Sequence, residues 1–182
     1  MPQTRVNAEA TKLNPSAVLN LFELRHSTLE PLYFYAGISQ NLNSLIFDNV
    51  TYVPVPIELS EFEIDGRGRL PRPKITISNV KGLISTYLLQ IGDISGASIR
   101  RKRVFYKYID DINFDGGANP WGLADPTAIF SDELFYINRK LLENKEVVEF
   151  ELATPWEIDN EKLPKRTIYA LICGFQYREV TL

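Results

Sequence analysis

The chain of 182 residues holds one cysteine, one histidine and one methionine. A lone thiol, Cys173, rules out an internal disulfide framework or a cysteine-rich metal knot, and points to folding in a reducing compartment. His26 stands beside Ser27, yet Ser–His catalysis also needs an orienting acid and an oxyanion site, which no motif here marks. No apolar run approaches the ~20 residues that cross a bilayer. Residues Met1 to Asn14 carry Arg5, Glu9 and Lys12 and lack the apolar centre of a secretion signal, so the expectation is a soluble, unanchored protein. Repeats of 20 to 50 residues, low-complexity tracts and linkers are also missing, which favours one domain over 1–182 with 1–16 as an N-terminal arm.

Positive charge is not in excess. A net charge of -3 and a pI near 5.3 give no general attraction to a polyanion, so sequence-specific nucleic-acid binding is not expected. What the chain does have is apolar content, 45%, enough for an ordinary core without disulfides.

Most of that content alternates. Val18 to Arg25, where a short helix competes with a strand, and Leu32 to Tyr35 read as strands of a hairpin broken at Glu30-Pro31. Ile46-Phe47 and Val50 to Tyr52 flank Asp48-Asn49, a pair suited to a tight turn. Val53-Pro54-Val55-Pro56 cannot donate hydrogen bonds at alternate positions and belongs at a sheet edge or outside the ladder. Phe62 and Ile64, then Ile75 and Ile77, alternate on either side of a turn at Asp65 to Gly68. Leu83 to Ile91 has helical spacing between Gly82 and Gly92. Ile99 to Phe114 is expected as the longest strand, Asp115 to Gly122 as a surface loop, and Phe130 to Leu142 with Val147 to Ala153 as a hairpin, with a helix over Glu133 to Glu143 as the competitor. Thr167 to Tyr177 reads as a last strand. Before Pro15, a short helix over Ala8 to Leu13 is expected in an arm that frays or docks on a neighbour. The predicted class is mainly β with one short α-helix, a sandwich or barrel.

Few residues offer chemistry. Asp111-x-Asn113-x-Asp115-Gly116 opens like a calcium loop, but its twelfth position is Gly122 where a bidentate glutamate is required. Gly66-Arg67-Gly68 lacks the third glycine and the helix of a dinucleotide fingerprint. The pairs Glu61/Glu63 and Asp110/Asp111 have the composition of a glycosidase site and equally of a solvated face. Arg100-Arg101-Lys102-Arg103, with Phe105, Tyr106 and Tyr108 nearby, is the dense basic run, yet a strand splits its charges between two faces. Arg67, Arg69 and Arg72 suit bidentate pairing with a partner's carboxylates.

Taken in order, Tyr52-x-Pro54-x-Pro56-Ile57, Phe62-Glu63-x-x-Gly66-x-Gly68, Arg72-Pro73, Thr76-x-Ser78-Asn79, Gly82, Arg100-Arg101-Lys102, Asp110 and Thr154-Pro155 resemble the minor tail protein L family of lambda-like long-tailed phages. The match runs from about Val18 to Tyr177. The resemblance implies a non-enzymatic tail-tip or baseplate protein of the virion, assembled in the host cytoplasm, with a β fold related to tail-tube and hub domains. It implies a ring, taken as a homotrimer, that continues the DNA channel. Its partners would be further copies of itself, the distal tail protein and the central hub or tail-fibre protein, with the tape measure protein as a further candidate. On this reading Glu61, Glu63, Asp65, Arg67, Arg69, Arg72, Arg100, Arg101, Lys102 and Arg103 are the subunit-interface candidates. Longer members carry a cysteine-rich domain with an iron–sulfur cluster. With Cys173 alone, no cofactor is expected here. The alternative is a carbohydrate-binding or wall-degrading baseplate domain, with Trp121 and Trp156 stacking on sugars.

Overall fold

The computed structural model describes residues 2–37, 44–60, 72–79, 82–92 and 94–155. The expected turn at Asp65 to Gly68, the acidic and arginine positions from Glu61 to Arg69, Trp156, Cys173 and the strand over Thr167 to Tyr177 lie outside the described residues.

Strands β1 (Val18–His26) and β2 (Leu29–Ala36) form the first hairpin. Its turn is Ser27-Thr28, not the expected Glu30-Pro31. Those two residues lie inside β2, where the register steps from Leu24↔Leu32 to His26↔Leu29. Three steps on one strand oppose two on the other, a bulge, and a bulge tolerates a proline that has no N–H to give. β3 (Leu45–Phe47) and β4 (Val50–Val55) follow the sequence closely. Asp48 (φ 54°) and Asn49 (φ 60°) both take the left-handed conformation that a two-residue hairpin demands. β4 runs on beyond β3 and pairs in parallel with β2 through Pro54, whose other side faces no strand, as expected at an edge.

After β4 come β5 (Ile57–Leu59), β6 (Lys74–Ser78), β7 (Ser98–Phe105), β8 (Glu133–Glu143) and β9 (Val147–Ala153). The strand order is β3-β4-β2-β1-β7-β8-β9-β6-β5. β4 and β5 stand near opposite ends of that order, yet one residue, Pro56, separates them in the chain. The sheet must therefore curl until its ends meet. The Ser78 N–H donates to the Pro56 carbonyl at 2.9 Å, and Val55 shares a core with Ile75 and Phe150. Phe22, Phe34, Ile99, Ile137 and Leu152 fill the same interior.

Helix α2 (Leu83–Ile91) closes this core with Ile84, Tyr87 and Leu88. Gly82 (φ 65°) turns the chain into it but has no side chain to cap it. Asn79 supplies the cap: the Ser85 N–H donates to Asn79 Oδ1 at 3.2 Å, while Asn79 Nδ2 donates to Ser85 Oγ at 2.8 Å and to the Asn144 carbonyl at 2.9 Å. The helix start is thereby tied to the β8–β9 hairpin, which is strand on both sides as the alternation predicts.

Two expectations fail. The strand expected over Ile99 to Phe114 ends at Phe105, and three 3-10 turns follow at Tyr106–Tyr108, Asp111–Asn113 and Asp115–Gly117. Tyr106, Ile109 and Phe114 turn back instead onto a second apolar cluster with Leu21, Phe47 and Tyr52. The helix near the N-terminus spans Pro2–Ala10 (α1), earlier than expected, and it neither frays nor waits for a neighbour. Val6 is buried against Phe105 and Ala128. Glu9, only 3% exposed, is bound by Lys107 and Lys12 and accepts the Ser16 N–H at 3.2 Å, and Arg5 Nη1 meets Asp125 Oδ2 at 2.6 Å. The fold is mainly β, as expected, with α1 and α2 its short helices among the described residues.

The outer half of β8 has a distinct shape. β7 pairs with β8 only as far as Tyr136, and beyond Ile137 the strand has β9 on one side. There Asn138 and Leu141 are each an extra residue in the ladder, two bulges in quick succession, and every residue from Asn138 to Glu143 is exposed. Doubled bulges twist an open edge away from flat pairing.

Candidate functional site

The basic run lies on β7, beside β1 and β8. Alternation sends Arg101 and Arg103 to one face and Arg100 and Lys102 to the other. On the first face the charges are spoken for. Arg101 donates from Nε and Nη2 to Asn20 Oδ1 (3.1 and 2.9 Å) and from Nη1 to Glu133 Oε2 (3.2 Å). Arg103 Nη2 meets Glu133 Oε1 at 3.0 Å with its guanidinium 5.2 Å from the Phe130 ring centre. On the second face Arg100 stands 4.0 Å from Asp132, and Lys102 forms no ion pair with a described residue. No single basic groove results.

Arg72 also has an internal carboxylate. Its Nη1 is 3.5 Å from Glu151, which Arg139 (2.8 Å) and Asn138 (2.7 Å) also bind. Burial pushes the Glu151 carboxyl up, but these donors outweigh it and leave the group below its ordinary range. Glu61, Glu63, Asp65, Arg67 and Arg69 lie outside the described residues.

The calcium-like motif is a brace. Asn113 Oδ1 accepts the Ile46 N–H at 2.7 Å, and its Nδ2 donates to the carbonyls of Ile46 (2.6 Å) and Asp110 (2.7 Å). Asp110 accepts the N–H groups of Asp48 (3.2 Å) and Asn49 (3.0 Å). The motif thus pins the β3–β4 turn, and among the described residues no three His, Cys, Asp or Glu side chains converge as metal ligands. An iron–sulfur cluster calls for four thiolates; one cysteine, outside the described residues, does not fit it.

The segment from Tyr106 to Thr127 is long for a connection without strands of its own, and side chains hold it in shape. Asn119 Nδ2 donates to the Lys107 carbonyl (2.8 Å) and its Oδ1 accepts the Trp121 N–H (3.0 Å). Asp125 Oδ1 accepts from the backbone and hydroxyl of Thr127 (3.0 and 2.6 Å). Tyr106, Phe114 and Trp121 meet edge to face with ring centres 5.3 to 5.8 Å apart. Even so, Trp121 stays 60% exposed, with Ile112 at 66% and Leu123 at 87%. Neither Asp111 nor Asp115 in this segment forms an ion pair with a described residue.

At the other end of β7 an open cleft of about 640 Å³ lies between the β1–β2 turn and the loop before β7. Leu29, Pro31 and Tyr136 give it apolar walls, and Arg25, His26, Ser95 and Ser98 line it as well. The Arg25 guanidinium pairs with the buried Glu23 yet is 59% exposed. No sequence motif marks this cleft, because its walls come from four strands, a turn and a loop.

The cleft, the basic strand and the aromatic segment are surface features set on one sheet, and comparison with known proteins gives them a context. A family model described as phage minor tail protein L matches residues 25–181. The chain belongs to that family. Within it, tail tip protein L of Escherichia phage lambda is 28% identical over 177 residues, covering 93% of this chain and 72% of the relative. The minor tail protein L match spans the whole curled sheet from the end of β1 onward and includes the cleft, the β7 basic run and the aromatic segment.

Proposed function

We propose that this chain is a structural component of the phage tail tip: a ring that joins the distal tail ring to the central hub, continues the DNA channel and has no catalytic role. The observation that carries the reading is family membership across nearly the whole chain, with a relative named as a tail tip protein. The structure supplies what a scaffold needs, a closed core with preformed surface features. Of the basic run, Arg100 and Lys102 are the members available to a neighbour, since Arg101 and Arg103 are held by Glu133 and Asn20. Electron microscopy of the intact virion tests the assignment: density for this fold encircling the channel at the tail tip is expected, and a location elsewhere would overturn it.

The exposed Trp121 favours one other reading, stacking on a sugar ring. A sugar site also needs several convergent hydrogen-bonding side chains, and with Asn113 and Asn119 spent on backbone groups the segment offers chiefly Asp115. The purified chain is expected not to be retained on host cell-wall glycan.

A further inference from the structure

The aromatic segment and the cleft lie at opposite ends of β7. Ser98 lines the cleft and Phe105 precedes the segment, seven residues further on, so the two are roughly 23 Å apart along the strand. They also differ in character. One displays large apolar side chains, Ile112, Trp121 and Leu123, beside the exposed carboxylate of Asp115. The other is a concave surface with apolar walls and a largely exposed guanidinium. Resting on the ring reading above, we propose that Trp121 of one copy seats in the Arg25–Tyr136 cleft of the next.

Three observations carry this pairing. First, the protein holds Trp121 out: three side-chain-to-backbone hydrogen bonds and one between side chains, all made by Asn119 and Asp125, fix a segment whose largest ring remains mostly in water. A rigid, preformed aromatic anchor loses little freedom on binding, which is the property of an interface hot spot. Second, size and sign match. A cleft of about 640 Å³ has room for an indole between Leu29, Pro31 and Tyr136, and the exposed Asp115 carboxylate on the anchor would approach Arg25. Third, two different patches at opposite ends of one strand make a head-to-tail contact, the kind that closes into a ring when the rotation per subunit allows it. Two like patches would stop at a dimer.

The test places a photo-crosslinking residue, p-benzoylphenylalanine, at Leu123 of the full chain within assembled tails. Leu123 is almost fully exposed, so the change leaves the core intact. The expected product is a crosslink between two copies of this chain, mapped to a peptide containing Leu29 to Pro31 or Tyr136. A crosslink to a different tail protein, or to another part of a second copy, overturns the pairing while leaving the tail-tip reading standing. Absence of the chain from purified tails overturns the tail-tip reading itself, and this pairing with it. In solution, Trp121→Ala is expected to weaken self-association roughly 30-fold by sedimentation, with an unchanged melting temperature separating this loss from misfolding. Unaltered self-association would also overturn the pairing.

Discussion

Glu9 of helix α1 and Lys107 just beyond β7 form an ion pair across 98 residues of sequence, with both side chains largely out of water. Hydrogen bonds from Lys107 and Lys12 hold the Glu9 carboxyl down to about 2, against an ordinary value of 4.5. The unfolded chain therefore takes up this proton before the folded one does. The stabilisation is whole above pH about 4.5 and drains away as pH falls toward about 2. Glu9→Gln should lower the melting temperature at pH 7, and the difference from the parent should shrink steadily across that window. A difference that stays constant from pH 6 to pH 2.5 would show that the carboxylate charge is not what holds α1.

Arg100 and Arg101 are neighbours in sequence with opposite expected fates. Arg101 ties β7 to Asn20 and Glu133, so Arg101→Glu should destabilise the isolated chain, on the order of 2–4 kcal/mol, because it sets a like charge against Glu133 in a half-buried site. The double change Arg100→Glu with Lys102→Glu should leave the melting temperature within about 2 °C and impair tail assembly instead. Denaturant melts of both variants, beside a count of complete tails, separate the two faces of the strand.

Asn79 is buried and serves both α2 and the β8–β9 hairpin. Replacing it with alanine strands the Ser85 N–H and the Asn144 carbonyl together. A loss of roughly 1–3 kcal/mol is expected from the missing cap and the unpaired buried groups. Hydrogen exchange at the first turn of α2 should accelerate more than exchange in β1, which marks the loss as local.

Asn49 sits at φ 60° in the β3–β4 turn. Asn49→Gly should be close to neutral, whereas Asn49→Val should cost about 1–2 kcal/mol because a β-branched side chain resists the left-handed region. Comparing the two melting temperatures isolates the backbone cost from any loss of side-chain contact.

The parts of the fold that could be read from sequence were those where local chemistry and tertiary packing agree. Asp48-Asn49 and Gly82 with Gly92 announced their backbone conformations, and the structure places a tight turn and helix ends there. Pro54 announced an edge and stands at one. Errors arose where packing overruled local preference. Tyr106 and Tyr108 have high β propensity, yet they fold into a 3-10 turn that brings Tyr106 and the following Ile109 onto the second apolar cluster. The signal available was the run Asp110, Asp111 and Asn113, residue types that strands disfavour. Pro31 looked like a turn and proved to be the mark of a bulge. Of the interface candidates, the two-face split of Arg100 to Arg103 was legible from alternation. The ion pairs of Arg72, Arg101 and Arg103 were not, because Glu151 and Glu133 are distant in sequence. The segment around Trp121 was legible as a loop, but its rigidity depends on where Asn119 points.

The twin bulges at Asn138 and Leu141 bear on what happens before assembly. On the ring reading proposed above, each subunit would spend an interval unassembled, with its contact surfaces uncovered. The greatest hazard in that interval is an open strand edge, which will accept any other strand through its backbone. Among the described residues the outer half of β8 pairs only with β9, and by kinking it twice the chain makes that edge a poor template. Patience in solution is thus built into the ladder itself, and straightening it by deleting Asn138 and Leu141 would trade solubility for regularity.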